Sequence, residues 1–359
     1  MLECPRIPPP HRRGHPLSPR PVLALDVGGT QIRAAVVTDD GERAARTARR
    51  TPVVEGPEAI LAASLDALAE VRAAVPAGLA ASLVGVGVSS PGPIDPWRGV
   101  VVETPNMGPA FRDVPIAERI EETLGLPAYL DRDTNVAALG EMAFGAARAC
   151  GDFVYLTVST GIGGAIVQEG RVVHGPDGTA GELGHMPVSL DGPVCGCGGI
   201  GHLEAHASGT ALAIAARRAV ADGSSPYLAR AAERRPGGAV DARDVAEGEE
   251  AGDAACHAIL EHARLAFALA CVGFVNALNP ARIVVGGSVA EGQGDRLLGP
   301  ARAEVARSAF HTPRARVRIV PAELGPDVGL AGAHPLVTAR LGDPTWRRGR
   351  STHPSPVSG

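Results

Sequence analysis

Leu25–Thr30, with the sequence LDVGGT, ends an apolar strand in a glycine turn, and Ser159–Val167, with the sequence STGIGGAIV, does the same later in the chain. Each turn opens the same series of elements: two hairpin strands, a third strand, a helix, a strand and a helix. Two copies of this series predict a gene-duplicated α/β protein with two lobes. Ligands of such sheets bind near the carboxyl ends of the strands, so we expect both turns to face a cleft between the lobes.

Lobe boundaries follow from the repeated series. The first lobe is predicted over residues 22–131 and is completed by a last helix over residues 328–341, and the second lobe is predicted over residues 132–327. Residues 1–21 are rich in Pro and Arg and predict a disordered leader, and residues 342–359 predict a disordered tail. Further expectations are a loop over Ser89–Asp95 and helices over Pro57–Val75, Arg112–Leu124, Asn135–Phe144, Ala254–Leu278 and Gly294–Ser308.

Composition limits the class of function. The chain has 359 residues, 45% of them apolar, and a net charge of -5, which gives no general field for nucleic acid or an anionic membrane. No stretch reaches the roughly 18 consecutive apolar residues of a membrane span. Of six cysteines only Cys195 and Cys197 form a pattern, and their one-residue spacing suits a metal better than a disulfide. We therefore expect a cytoplasmic protein with neither nucleic acid nor membrane as a partner.

The two glycine turns are candidate phosphate sites. Glycines let backbone N–H groups approach phosphate oxygens, and Asp26 at the end of the first strand is placed to hold Mg²⁺ through water. A tight hairpin turn is the alternative interpretation of either turn alone, and their pairing favours phosphate. Asp133 stands before a predicted helix, where an aspartate commonly caps backbone N–H groups. Its position between the two turns favours a general base that deprotonates a hydroxyl attacking a γ-phosphate.

Residues 181–204 are rich in side chains that bind metals. Two thiols and two imidazoles form a closed donor set typical of structural zinc: His185, Cys195, Cys197 and His202. His206 is a substitute ligand if His202 points away, and a glycine-rich loop with two free thiols is the alternative. Glu182 and Glu204 flank this loop, and a loop fixed by metal would present them to sugar hydroxyls.

At this point the motifs resemble one family, the ROK group (repressors, unnamed open reading frames and sugar kinases) of the actin and hexokinase superfamily. LDVGGT and STGIGGAIV are similar to its phosphate motifs, and ARIVVGGSV over residues 281–289 is similar to its nucleotide-side glycine turn. GELGH, followed by CGCGGIGHLE, is similar to the family signature, and Gly329–Ala333 to its last helix. The resemblance runs from about Val22 to Leu341.

The resemblance implies a two-lobed actin-like ATPase (RNase H-like) fold and a kinase that uses ATP and Mg²⁺ to phosphorylate the 6-hydroxyl of a hexose. It also implies a structural Zn²⁺ and a homo-oligomer, a dimer or tetramer. Carried over by position, Asp133 is the base. The implied sugar contacts are Gly92, Asn106, Arg132, Asp133, Glu182, His185 and Glu204, with His185 also binding zinc. The implied nucleotide site contains Asp26, Gly28, Gly29, Thr30, Thr160, Gly161, Gly163, Gly164 and Gly287.

Two departures from the family pattern bear on these expectations. The family usually has a third cysteine where this chain has His202, which would give a Cys2His2 ligand set. It usually has Asn where this chain has Arg132, whose guanidinium is placed either to contact a sugar oxygen or anionic group or to turn away.

The first hypothesis is a glucokinase. The alternatives are an N-acetylmannosamine or N-acetylglucosamine kinase, use of polyphosphate as donor, and a non-catalytic sugar-sensing regulator. The 21 residues before Val22 are too few for the helix-turn-helix module of the family's repressors.

Overall fold

The structure is a computed structural model that describes residues 20–343 and Trp346. The predicted leader and tail therefore lie almost wholly outside the described residues. Contacts within the chain define two compact units. Among the described residues, the amino-terminal unit contains residues 20–151, 166–180 and those from 323 onward, and the carboxyl-terminal unit contains residues 152–165 and 181–322. This division groups residues 132–151 with the amino-terminal unit, and the lobe boundary after residue 131 stays a prediction.

Most elements follow one another with short connections, and the long exception is the segment between β11 and α5, which contains one 3-10 turn. Residues 20–151 form β1 (Val22–Val27), β2 (Gln31–Val37), β3 (Arg43–Arg50), α1 (Pro57–Ala73), α2 (Ala77–Ala81), β4 (Val86–Ser90), β5 (Ile94–Asp95), β6 (Val100–Glu103), β7 (Arg112–Val114), α3 (Ile116–Leu124), β8 (Ala128–Arg132) and α4 (Asp133–Phe144). Residues 153–221 form β9 (Phe153–Val158), β10 (Ile162–Gln168), β11 (Arg171–Val172), α5 (Leu203–Ala207) and α6 (Gly209–Ala221).

The remaining elements are mainly helical. They are α7 (Pro226–Glu233), α8 (Ala242–Glu250), α9 (Ala254–Leu278), β12 (Arg282–Gly286), α10 (Ser288–Gln293), α11 (Asp295–Ser308), α12 (His311–Arg314), β13 (Arg318–Pro321), α13 (Val328–Ala331) and α14 (Ala333–Arg340). Single 3-10 turns occur at Pro105–Met107, Leu183–His185, Pro236–Gly238 and Gly325–Asp327.

Two five-stranded sheets repeat one topology. The first has the order β3-β2-β1-β4-β8 and the second β11-β10-β9-β12-β13. In each sheet the opening strands are antiparallel hairpin partners, and the strands that follow a helical crossover run parallel to the first strand. The predicted duplicated α/β fold is confirmed.

The first sheet has an apolar core on each face. Successive side chains of β1 point to opposite faces, so Leu23 and Leu25 join one core while Val22 and Ala24 join the other. Helix α1 covers the first face with an apolar stripe at three- and four-residue spacing. Helices α4, α13 and α14 cover the second face. The strand that carries the first glycine turn is therefore buried from both sides.

The longest described helix, α9, forms the centre of the carboxyl-terminal unit. By length and composition it is apolar enough to cross a membrane, although the sequence has no uninterrupted apolar run of that length. It contains Glu261, His262 and Arg264, and it packs against α5, α8 and α11. In this structure α9 is thus a core helix.

Several predicted boundaries differ from those in the structure. Arg112–Val114 is a strand, because Pro115 lacks the N–H needed to continue a helix back from α3. Ser89 and Ser90 extend β4, and Ile94–Asp95 pairs with β6, within the stretch predicted as a loop. Helix α4 begins at Asp133 rather than Asn135. The predicted last helix is present as α13 and α14, which meet at Gly332; this residue has helical φ and ψ and lies so close to Val136 that a Cβ would be 1.8 Å from its carbonyl oxygen.

Candidate active site

The first glycine turn is held in shape by its neighbours in the amino-terminal unit. The Gly28 N–H donates to the Gln31 carbonyl at 2.9 Å, and the Thr51 hydroxyl donates to the Gly28 carbonyl at 2.5 Å. Gly29 lies against Asn106, since a Cβ on Gly29 would be 2.4 Å from the Asn106 carbonyl oxygen. The structure thus brings together a predicted phosphate residue and a predicted sugar residue. Thr30, next in the turn, is exposed.

Asp26 has a partner that the sequence did not reveal. The Arg33 guanidinium donates to Asp26 Oδ2 through Nε at 3.0 Å and Nη2 at 2.5 Å, and its Nη1 donates to the Pro326 carbonyl. Asp26 is mostly buried, so this charge-assisted pair fixes the carboxylate at the end of β1. Its Oδ1 is left for other partners.

The second glycine turn is tied to Glu204. The Ile162 N–H donates to Glu204 Oε2 at 2.8 Å, and a Cβ on Gly161 would be 2.5 Å from the same oxygen. Gly164, further along β10, packs against the Gly181 carbonyl and Leu183. Sequence reasoning assigned Glu204 to the sugar, whereas in the structure one of its oxygens holds the turn. Thr160 is exposed and Gly163 is half-buried.

A cavity of about 450 Å³ lies beside this turn within the carboxyl-terminal unit. A third glycine turn, at Gly287, follows β12. Gly287 has a φ of 96° and lies too close to the Val158 carbonyl for a side chain. Hydroxyl groups line the cavity, and Ser159 Oγ and Ser288 Oγ are 2.9 Å apart. The polar lining residues include Ser159, Thr160, Thr210, Arg243, Ser288 and Gln293. Its volume is in the range of small-molecule sites.

The candidate base, Asp133, is the first residue of α4 and is exposed. Arg132 occupies the capping position, and Asp133 Oδ1 accepts from the Thr134 N–H at 2.7 Å. The preceding residue, Asp131, is fully buried at the end of β8, and its Oδ1 accepts from the Arg132 N–H and from Asn135 Nδ2, both at 2.8 Å. These bonds hold the first turn of α4 on either side of Asp133.

The other oxygen of Asp131 meets an imidazole and a guanidinium. His174 Nε2 lies 2.8 Å from Oδ2, and Arg340 Nη2 donates to the same oxygen. Burial opposes ionisation of this carboxyl, but the charges of His174 and Arg340 and the hydrogen bonds hold its pKa far below the usual range. Asp131 is therefore a charged group inside the amino-terminal unit.

Arg132 is buried, and its side chain turns to the protein. Its Nη2 donates to the Ala180 carbonyl at 2.5 Å. Its aliphatic carbons pack beneath Gly92, where a Cβ would be 3.2 Å from Arg132 Cδ. The sequence left open whether the guanidinium contacts a ligand or turns away. In the structure it binds a backbone carbonyl.

The four predicted metal ligands converge. His185, Cys195, Cys197 and His202 each offer a ligand atom, and all four atoms lie within 4.8 Å of one another. Cys195 Sγ is 3.6 Å from His185 Nδ1, and Cys197 Sγ is 3.2 Å from His202 Nδ1. Burial raises the pKa of the Cys195 thiol, and the nearby Glu204 adds to this effect.

His206, the substitute ligand in the sequence analysis, has other partners. Its Nε2 lies 3.0 Å from Ser189 Oγ and its Nδ1 lies 2.9 Å from His262 Nε2. His202 therefore fills the fourth position of the cluster. The other nitrogen of His185, Nε2, lies 3.8 Å from Glu182, which is exposed.

Sequence reasoning missed several residues of these sites. Thr51 and Arg33 act on the first turn from outside its motif, Arg33 from β2 and Thr51 from the end of β3. Asp131 and Asn135 lie beside Asp133 at the start of α4, and their helix-start spacing was a usable signal. Arg340 and His174 come from distant segments and no local pattern indicates them.

Two sheets of one topology, each with a glycine turn on its opening hairpin, define the actin-like class of two-domain phosphate-binding proteins. Comparison with known proteins narrows this class. The model of the ROK family matches residues 22–340. The chain belongs to the ROK family.

Individual relatives cover almost the whole chain. A glucokinase of Halalkalibacterium halodurans is 36% identical over 89% of this chain and 96% of its own. The crystal structure of a ROK hexokinase from Thermus thermophilus is 34% identical, with a TM-score of 0.73 over 89% of this chain and 99% of its own. A ROK glucokinase from Streptomyces griseus, solved in complex with glucose and AMPPNP, is 29% identical. Its TM-score is 0.71, over 88% of this chain and 98% of its own.

Proposed function

We propose that this protein is an ATP-dependent hexose kinase that phosphorylates the 6-hydroxyl of its substrate, with glucose as the first candidate. The observation that carries the proposal is Asp133, an exposed carboxylate at the start of α4 whose flanking residues are fixed by the buried Asp131. Glucokinases among the relatives, one of them solved with glucose and AMPPNP, support the substrate and the donor.

In this proposal Asp133 accepts the proton of the 6-hydroxyl as the oxygen attacks the γ-phosphate. A base for this step must be ionised and within hydrogen-bond reach of the hydroxyl, and exposure at a helix start provides both access and a favourable dipole for the carboxylate. Phosphoryl transfer depends on positioning and on charge stabilisation more than on covalent chemistry, so a rigidly held base suits it.

Sugar recognition is assigned to a set of polar groups. Glu182 is an exposed carboxylate 3.8 Å from His185 Nε2, so the two offer a hydrogen-bond acceptor and an imidazole nitrogen to neighbouring hydroxyls. Asn106 is exposed beside the first glycine turn, and Gly92 and Arg132 are packed together. We also assign Glu204 a sugar contact; its Oε2 accepts from the Ile162 N–H and its Oε1 lies 3.7 Å from Cys195 Sγ, so these two bonds orient the carboxylate.

The nucleotide is assigned to the glycine turns and the 450 Å³ cavity. Hydroxyls of Thr160, Thr210 and Ser288 line that cavity and suit ribose and phosphate oxygens. We assign the phosphate contacts to the backbone of the glycine turns, at Gly28, Gly29, Thr30, Gly161, Gly163, Gly164 and Gly287. Asp26 would hold a hydrated Mg²⁺ through Oδ1, because Arg33 occupies Oδ2. The ion, when bound, neutralises charge on the phosphates.

We also propose that the cluster of His185, Cys195, Cys197 and His202 holds structural zinc. With bonds of about 2.3 Å to sulfur and 2.0–2.1 Å to nitrogen, tetrahedral ligands lie roughly 3.6 Å apart, and the 3.6 and 3.2 Å sulfur–nitrogen separations fit this. Two thiolates and two imidazoles leave no open position, so the ion would stabilise the loop. Coordination through Nδ1 would fix the tautomer of His185 and leave its Nε2 towards Glu182.

The test is an ADP-release assay with ATP and Mg²⁺ on glucose, mannose, fructose, N-acetylglucosamine and N-acetylmannosamine, repeated with polyphosphate as donor. We expect turnover on glucose with ATP. If the protein prefers N-acetylglucosamine or N-acetylmannosamine, the proposed kinase activity stands and the proposed substrate is wrong. No turnover on any sugar with either donor, from folded protein loaded with zinc, would refute the proposal. The cytoplasmic location and the homo-oligomeric state stay predictions.

A further inference from the structure

We propose that Asp131, with its partners His174 and Arg340, is a positioning residue that fixes the first turn of α4 and thereby the direction of Asp133. This inference rests on the proposed function, since it requires Asp133 to be the base. The three residues form one buried cluster, and neither the phosphate turns nor the metal site uses them.

The two oxygens of Asp131 have different partners. Oδ1 accepts from the Arg132 N–H and from Asn135 Nδ2, so it binds residues on both sides of Asp133. Oδ2 receives His174 Nε2 and Arg340 Nη2. His174 and Arg340 thus fix the carboxylate plane through Oδ2, and Oδ1 fixes the start of the helix relative to that plane.

Arg340 is itself held on three sides. Its Nη1 donates to the Leu130 carbonyl at 3.2 Å, and its guanidinium carbon lies 3.5 Å from the centre of the Trp346 ring. The edge of that ring contacts His174, with centroids 5.4 Å apart. A cation on an aromatic face, bonded through a planar fork, has little freedom to rotate. The chain of contacts runs from Trp346 through Arg340 and Asp131 to α4.

Stability alone does not account for such a cluster. Asp131 is 0% exposed and Arg340 6%, so both charges lose nearly all their hydration, and a well-packed apolar group of similar size is often as stabilising as a buried ion pair. Directional bonds, by contrast, define a single geometry. Because a shift of about 1 Å in a catalytic group can cost up to about 100-fold in rate, a fixed helix start has a direct benefit for a base at that position.

The test compares kcat with KM in the full-length protein. We expect Asp131→Ala to lower kcat by about 100-fold, with the KM values for the hexose and ATP within about threefold of wild type. Asp131→Asn keeps an acceptor towards α4 and should recover a large part of the loss. His174→Ala leaves the Arg340 pair in place, so it provides a second variant should Asp131→Ala not fold, with an expected loss of about 10-fold in kcat.

A matched control is available in the same helix. Glu141 is also 0% exposed, and its carboxylate accepts from the Ala146, Glu323 and Leu324 N–H groups near the other end of α4. Glu141→Gln should lower Tm and keep kcat within about twofold of wild type. Amide hydrogen exchange supplies a readout independent of activity: His174→Ala should speed exchange in the first turn of α4, and Glu141→Gln should not.

The outcomes separate the two claims. If the wild type phosphorylates hexose and His174→Ala keeps wild-type kcat, the positioning role is wrong and the proposed function stands. The positioning role is also wrong if His174→Ala lowers residual turnover equally in an Asp133→Asn background, because the cluster would then act elsewhere. If the wild type phosphorylates no sugar, the proposed function fails, and the positioning role fails with it.

Discussion

Replacing Gly29 by alanine tests the first glycine turn with a single methyl group. A Cβ at this position would lie 2.4 Å from the Asn106 carbonyl oxygen and 2.9 Å from Asn106 Cβ. Carbon and oxygen atoms that are not bonded normally stay about 3.3–3.6 Å apart, so the two segments must separate by roughly 1 Å. Gly29 has no positive φ, and the alanine backbone is therefore unstrained. The perturbation is a purely steric one.

The expected magnitude follows from that displacement. Overpacking a well-packed contact costs about 1–3 kcal/mol of folding free energy, and a displacement near 1 Å in a site can cost up to about 100-fold in rate. In the proposed function Gly29 contacts the nucleotide and Asn106 contacts the sugar. We therefore expect Gly29→Ala to lower kcat/KM by about 10- to 100-fold and to lower Tm by a few degrees.

Gly78→Ala is the matched control in the same unit. Gly78 lies in α2, and a Cβ there would meet no atom within 4 Å. Alanine in a helix is favoured over glycine, so Tm should be unchanged or slightly raised and activity should be retained. Both variants are compared by ADP release and by thermal unfolding. If Gly29→Ala has the same kcat/KM and Tm as wild type, the close contact between Gly29 and Asn106, and the role of that contact in activity, are refuted.

Three further predictions concern the metal loop, the buried carboxylate and the second turn. Wild-type protein should contain one zinc per chain by elemental analysis, Cys197→Ser should lose it with a lower Tm, and metal-free wild type with an unchanged Tm would contradict the site. Because folding depresses the pKa of Asp131, this residue stabilises the fold above the ordinary carboxyl pKa, and that stabilisation is lost as pH falls towards the depressed pKa. In denaturant titrations at acidic pH, the free energy of unfolding of Asp131→Asn should therefore fall less steeply with decreasing pH than that of wild type. An equally steep fall in both proteins would contradict the depressed pKa. Glu204→Gln replaces the charged acceptor of the Ile162 N–H by a neutral one, so the KM for ATP should rise by about 10-fold, and an unaltered KM would argue against the tether.

Local patterns explain why most of the fold was predictable. The glycine turns, the apolar run of β1 and the helical spacing of α1 and α9 each act over a few residues, and each predicted the correct element. One error occurred where a backbone constraint overrode the pattern, at Pro115, which cannot continue a helix.

The candidate site was predictable to the extent that its residues are neighbours in sequence. The four metal ligands fall within one short stretch, and the structure brings them together as expected. The pair of Arg33 and Asp26 depends on the exact register of the hairpin, which the sequence did not define, and Arg340 meets Asp131 from the last helix, more than 200 residues away in the chain. Glu204 was selected for its charge, but only the fold reveals that one of its oxygens binds the Ile162 N–H.

The most direct test of the central claim is the turnover and hexose binding of Asp133→Asn. The substitution keeps the size of the side chain and removes the proton acceptor. The account predicts that ADP release with the preferred hexose falls by at least about 100-fold, in line with the roughly 10²- to 10⁴-fold contribution of general bases, while calorimetry gives a hexose Kd close to that of wild type. Substantial turnover in this variant, with the hexose still bound, would contradict Asp133 as the base and with it the proposed mechanism.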